Sequence, residues 1–203
     1  FRSSGLGSAL VSRALQYLEG KKVESILLYS YKGLEGFYRR FGFRELDSYT
    51  SYRGRIRTRA KRIAVERMSD GDLLEVRGLD ASYFGDDRSR LLERLRLEFP
   101  ETSFVHRLRG QVVGYVMATV SGVVCNVGPG VALGPQSGRL LLASLGVLLR
   151  GKECFLVAPS PGGSRLAQEF GLASGFGVTR MVRGRQPGGR PDQVFAIGAL
   201  EKG

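Results

Sequence analysis

The chain has 203 residues, 42% of them hydrophobic and 25% charged, which is enough for one large globular domain or two modest ones, each with its own core. No apolar run reaches the roughly 18 residues of a membrane-spanning helix and no signal-peptide pattern is present, so a cytoplasmic protein without a membrane partner is expected. Thirty-one basic side chains against 19 acidic ones leave a formal charge of +12, which attracts nucleic acids, acidic lipids and phosphorylated cofactors alike.

The basic excess is almost all arginine, since the chain holds only six lysines, one asparagine and no tryptophan. Scarce amide side chains suit a thermophile, and arginine excess equally reflects genome composition. Cys125, Cys154 and the single histidine, His106, make a poor ligand set, so no metal is expected.

Arg2, Ser3, Ser4, Gly5, Leu6, Gly7 and Ser8 place the spacing R-x-x-G-x-G directly before a helical pattern. Leu10, Val11, Ala14, Leu15 and Leu18 share one face of that helix, and Gly20 ends it. Glycines at 5 and 7 let the main chain approach an anion, and the helix adds its positive N-terminal end. Plain capping is the simpler reading of the same residues. A strand over 23–30 follows, then a helix over 32–41 closed by Gly42, with Phe43 opening another strand.

Residues 48–68 alternate, with Arg53, Arg55, Arg57 and Arg59 on one side. This predicts an extended ribbon with a wet, basic face, which a solvated strand explains and which would also suit RNA or an acidic acceptor. A domain boundary is placed near residue 60. Ser69 reads as an N-cap, and a helix over 86–99 starts after Gly85 and stops at Pro100. Strands at 102–109, 111–120 and 123–133 precede an apolar helix at 137–149. A strand at 154–159, a short helix at 163–171 and strands at 175–182 and 192–200 complete the chain. The two cysteines start neighbouring strands, as buried thiols or as a disulfide. His106, a lone strand histidine, is either a packed ring or a base.

From about residue 60 this order resembles a complete N-acetyltransferase domain of the GNAT superfamily. Residues 1–59 resemble the back half of another, because "RSSGLGSAL" matches the family's phosphate loop and "LEGFYRRFGF" its F-Y-x-x-x-G-F element. The chain therefore resembles a tandem GNAT protein, with a partial domain at 1–59 and a complete, motif-degenerate one at 60–203. The expected fold is α/β (α+β) with mixed, mainly antiparallel sheets. The strand that would carry the first loop is expected in a part of the protein absent from this sequence.

The resemblance implies acetyl-CoA as co-substrate and an amine acceptor. It implies cofactor contacts at residues 2–8 and at Tyr31, where many relatives carry asparagine. It also gives Tyr38 the role of protonating the departing CoA thiolate. The general base is expected in the absent strands. The second domain has Gly134, Ser137 and Gly138 without the loop spacing, and Ala167 at the place of Tyr38. Asp80 and Arg88 in "LDASYFGDDR" are candidates for the acceptor side, against a helix cap at Asp86 and an intrahelical pair for Arg88. A homo-oligomer is compatible with all of this. A catalytically inactive CoA-sensing or partner-binding module and a basic nucleic-acid-associated protein are the competing functional classes.

Overall fold

The structure is a computed structural model that describes residues 5–198 and 200. Arg2, Ser3 and Ser4 of the predicted loop lie outside the described residues. In chain order the elements are α1 (Leu6–Gly20), β1 (Ser25–Tyr31), α2 (Glu35–Arg39), β2 (Arg44–Gly54), β3 (Glu66–Arg67), α3 (Leu73–Phe84) and α4 (Ser89–Glu98). They continue with β4 (Phe104–Leu108), β5 (Gln111–Ser121), β6 (Val124–Ala132), α5 (Pro135–Leu148), β7 (Glu153–Ala158), α6 (Pro161–Glu169), β8 (Ala173–Gly184) and β9 (Val194–Ala196).

These form two compact units, one of residues up to Ser48 with Val178–Pro187, the other of Tyr49–Gly177 with the residues from Gly188 onward. The division does not fall at residue 60. Residues 49–59 fold with the second unit, and Val178–Pro187, expected in the second domain, fold with the first.

In the first unit β1 pairs antiparallel with β8, Ser25 opposite Gly184 through Tyr31 opposite Val178. Leu15, Phe43 and Met181 make its small core, with Val11, Ile26, Leu28, Tyr38 and Phe41 packed around them. Leu10 and Ala14, predicted on the inward face of α1, are exposed. Helix α2 is shorter than the predicted 32–41. Residues 32–34 form a tight turn instead, with Gly33 at φ 89° and the Leu34 N–H donating to the Tyr31 carbonyl at 3.0 Å. Gly42, at φ 81°, reverses the chain where the sequence places a stop.

In the second unit the strands lie in the order β2-β7-β6-β5-β4-β3, with β9 also on β6. Pairing is antiparallel except between β6 and β7. Leu141, Leu142 and Leu145 of α5, with Leu166 and Ala167 of α6, pack with Val116, Val127 and Leu156 in one core. Ser69 caps as expected, forming a capping box with Asp72 ahead of α3. Cys125 and Cys154 lie opposite each other on β6 and β7 as free, buried thiols. Burial pushes both upward, Cys154 to about 12, which leaves them protonated and unreactive.

The parallel ladder covers only Val124–Val127 against Glu153–Leu156. Past it, β6 turns to β9, with Gly130 opposite Ala196 and Val131 opposite Val194. On the other side Ile197 bridges Val157 and donates its N–H to the Val157 carbonyl at 3.0 Å. The chain's own segment thus fills the opening between two separating strands. It also explains why the predicted strand at 192–200 contracts to three residues, since only that opening has to be closed.

Phe195 fits because Gly130 has no side chain: a Cβ there would sit 2.6 Å from the Phe195 ring. Gly130→Ala should therefore lower stability by about 1–3 kcal/mol through overpacking, and Phe195→Ala by about 3–5 kcal/mol through a cavity. The double variant should cost less than the two combined, because the new methyl enters the vacated space. Urea unfolding midpoints of the four proteins check this.

Candidate functional site

The N-terminal turn of α1 is the first candidate. Gly5 sits at φ 71°, ψ −3°, a left-handed conformation that favours glycine, and among the described residues a Cβ there would meet nothing within 4 Å. Among those residues no side chain caps the helix, and its first turn carries no acidic residue. The first internal bond runs from the Ala9 N–H to the Gly5 carbonyl at 3.0 Å, so the N–H groups of Leu6, Gly7 and Ser8 point out of the helix end without a side-chain acceptor. An uncapped helix start of positive potential, with open space beside its glycine, suits a phosphate.

Gly7 connects that turn to Tyr38. A Cβ on Gly7 would stand 3.6 Å from the Phe37 ring, and Phe37 meets Tyr38 edge-to-face at 5.0 Å. Tyr38 is half-buried, with Phe43 on its other side at 6.2 Å, and among the described residues its hydroxyl has no hydrogen-bond partner. Tyr31 ends β1 and is exposed.

Glu35, which the sequence reading missed, fixes the start of the helix that carries Tyr38. Its carboxylate accepts from the Thr179 hydroxyl at 2.8 Å and from the Gly33 N–H at 2.7 Å. Hydrogen bonds from its own backbone N–H, Thr179 and Gly33 hold that carboxyl below the usual range. Its position at the head of a predicted helix was the available signal.

Asp80 and Arg88 do not face an open cleft. Both are buried, and the Arg88 guanidinium donates to the Asp80 carboxylate through Nε at 3.0 Å and Nη2 at 2.6 Å. The Tyr115 hydroxyl donates to the same carboxylate, and Arg88 stacks over the Phe84 ring at 3.5 Å. Burial, and then the Asp80 charge, push the Tyr115 phenol well above its ordinary value and keep it protonated. The pair joins α3 to the start of α4 and is not intrahelical. At that corner Arg88 is the N-cap of α4 and no side chain caps the helix; Asp86 accepts from the Asp87 N–H at 2.8 Å and Asp87 from the Ser89 N–H at 2.9 Å. The chemistry-bearing atoms of Asp80 and Arg88 are thus engaged with each other.

The second unit's counterpart loop precedes α5. Here a cavity of about 510 Å³ lies among Gly134, Arg139, Gly163, Arg165, Asp192 and Phe195. Its character differs from the α1 turn. The Gly134 N–H donates to the Gln193 side-chain oxygen at 3.3 Å, Arg139 is tied to Glu169 at 2.8 Å, and Asp192 and Glu169 both line the wall. Ser137, in the first turn of α5, stands 3.0 Å from His106 Nδ1, so the histidine is a tethered ring. Ala167 is buried in the core. Among the described residues no group of three His, Cys, Asp or Glu side chains is placed to hold a metal ion, and no helix is long and apolar enough to cross a membrane.

Comparison with known proteins adds the family. Residues 76–196 match the model of the acetyltransferase (GNAT) domain. No curated protein matches. Among solved structures, a protein from Pyrococcus horikoshii provisionally assigned as an acetyltransferase is similar at TM-score 0.79 and 22% identity, over 100% of this chain and 68% of that one. A GCN5-related N-acetyltransferase from Sphaerobacter thermophilus gives TM-score 0.63 at 16% identity, over 95% of this chain and 72% of that one. A conserved protein of unknown function from Staphylococcus epidermidis gives 0.60 at 13%, over 89% and 80%. At these identities the likeness speaks for the mixed α/β fold alone.

A buried ion pair broken on one side leaves an uncompensated charge. Asp80→Ala should therefore destabilise the protein by about 3–5 kcal/mol, and Arg88→Ala by a similar amount. Replacing both at once, as Asp80→Leu with Arg88→Met, should cost less than either single change. Denaturant titration separates these outcomes, and a double variant as damaged as the singles would contradict the assignment.

Proposed function

The chain belongs to the GNAT acetyltransferase domain family, and from that premise we propose that it transfers the acetyl group of acetyl-CoA to an amine, with one acetyl-CoA held at the N-terminal turn of α1. The observation that carries this reading is that turn: a left-handed Gly5 with open space around it and a helix start free of caps and acids. Backbone N–H groups of Gly5, Leu6, Gly7 and Ser8, with Arg2, Ser3 and Ser4 ahead of them, bind the pyrophosphate, and Tyr31 flanks the cofactor. In the reaction the neutral amine nitrogen attacks the thioester carbonyl, the carbon–sulfur bond breaks, Tyr38 protonates the departing sulfur, and the proton that the nitrogen sheds on becoming an amide restores the phenol through solvent.

The chain is, in this reading, a tandem GNAT pair, a partial member at its N-terminal end followed by a complete one. The second member serves shape rather than cofactor binding. Its strand opening is taken up by β9, and its helix-start loop faces the carboxylates of Asp192 and Glu169. Asp80 and Arg88 act as positioning residues for Tyr115 and the α3–α4 corner.

Calorimetry with acetyl-CoA should give one site per chain. Gly7→Asp should weaken binding at least tenfold, ~1.4 kcal/mol. It should do so in a folded protein, since an acid in the first helical turn favours the helix while repelling a pyrophosphate. Tyr38→Phe should leave affinity unchanged and lower turnover across a panel of amines. Undiminished affinity in Gly7→Asp would move the cofactor to the α5 loop, and an unaltered rate in Tyr38→Phe would make the ring a packing residue only.

A further inference from the structure

Arg53, Arg55, Arg57, Arg59 and Lys61 are all exposed, and the interleaved Gly54, Ile56, Thr58 and Ala60 are all half-buried. The basic row predicted by alternation therefore runs two residues beyond Arg59, and it continues after β2 ends at Gly54. Outside the sheet its alternation is held by packing. Ile56 packs against the core of the second unit. A Cβ on Gly146 of α5 would come within 2.6 Å of Ile56 Cγ2 and 3.1 Å of Thr58 Cγ2, so the helix leaves room for the strip. The Arg57 N–H donates to the Phe170 carbonyl at 2.8 Å, and Ala64 is pinned to the Ser144 hydroxyl at 3.1 Å.

The first rung shows what the row recognises. Arg53 holds Glu153 in a two-pronged grip, Nε at 2.7 Å and Nη2 at 3.1 Å, the fork geometry in which guanidinium suits a carboxylate. Among the described residues Arg55, Arg57, Arg59 and Lys61 form no ion pair. Four further exposed cations, most of them guanidinium, thus stand at alternate positions of a segment whose interleaved residues are half-buried.

We propose that this row docks an extended acidic peptide segment whose carboxylates fall at alternate positions. Alternate residues of an extended chain are about 6.6–6.8 Å apart. A partner peptide in the same conformation repeats its same-face side chains at that spacing and meets the rungs one for one. A nucleic acid fits less well. Tyr49 and Tyr52 are buried, and the stacked pair Phe155 and Phe176 lies at the first rung, opposite Arg53. No aromatic residue is interleaved with the cations from Arg53 to Lys61, so no series of rings for stacking successive bases accompanies them. The row is also one side chain wide. Docking of this kind is independent of acetyl transfer.

Fluorescence anisotropy at low ionic strength tests it on the 203-residue chain with three labelled probes. One is a nine-residue peptide with glutamate at every other position and serine between. The second is an isomer of the same composition whose glutamates fall on both faces, and the third is a single-stranded RNA oligonucleotide. The alternating peptide should bind at least fivefold more tightly than its isomer. Its affinity should fall about tenfold in the variant Arg55→Ser with Arg59→Ser, whose melting temperature should match the parent, and should weaken steeply with salt. Equal binding of the two peptides would mean that net charge alone attracts them, overturning the register. Tighter binding of RNA, lost in the same variant, would assign the row to nucleic acid. No binding of any probe would leave it a solvated face.

Discussion

Two parallel strands that part company leave main-chain N–H and C=O groups facing each other across a gap, and such groups cannot stay unpaired inside a protein. In the second unit β6 and β7 separate beyond Val127 and Leu156, and the arrangement around that point follows from closing the gap. The segment Val194–Ile197 does so from both sides, with Gly130 and Val131 on one flank and Val157 on the other. Glycine is required wherever it passes close. A Cβ on Gly128 would lie 2.0 Å from the Ile197 carbonyl oxygen, and one on Gly163 would lie 2.6 Å from that of Phe195. The start of α6 is tied in as well. Ser160, its N-cap, accepts from the Gly163 N–H at 3.1 Å and donates to the Val194 carbonyl at 2.9 Å. The cavity beside α5 and α6 is the space left over once this segment is in place.

A second constraint acts on charge. Most ion pairs among the described residues are on the surface, where an exposed pair contributes at most about 1 kcal/mol. Asp80 with Arg88 is different because both are buried. A buried charge has to find its full set of partners nearby, and here two guanidinium bonds, a phenol and an aromatic face supply them. Meeting that demand removes the pair from the groups available to a substrate. The same local residues that made it look like an acceptor site are what its burial requires.

This difference marks where the sequence could be read and where it could not. The apolar helix predicted at 137–149 is α5 at Pro135–Leu148, and the strand at 111–120 is β5 at Gln111–Ser121; long uniform periods identify themselves. Gly42, Gly85 and Gly110 all take positive φ where turns were expected, since few other residues tolerate it. The GNAT family was legible too, through the order of the elements in the second half of the chain. Features that depend on a distant partner were not. Nothing in "VFAI" announces that it will close a gap between two remote strands. Asp80 and Arg88, eight apart across a helix break, have no periodicity that pairs them. Strand β8 reads as one run, yet from Val178 onward it folds with β1, because pairing registers are long-range facts. Glu35 was visible as a helix-start acid, but its grip on Thr179 was not.

The two helix starts show how far such local reading reaches. Both α1 and α5 follow a glycine at positive φ, Gly5 at 71° and Gly134 at 108°, and both present the positive end of a helix. By local physics both attract anions, although Pro135 at the start of α5 supplies no N–H. What distinguishes them further comes from elsewhere in the chain. Asp192 and Glu169 line the space beside α5, and Gln193 already takes the Gly134 N–H. An anion entering there meets one donor fewer and a wall of mixed charge, in which Asp192 and Glu169 are offset by Arg165 and by the Arg139 guanidinium that Glu169 already holds. The first turn of α1 carries neither acid nor cap. The start of α5, in the second unit, is therefore the less favourable of the two for a phosphate, and that of α1 the better, although both follow the same local pattern of a glycine at positive φ.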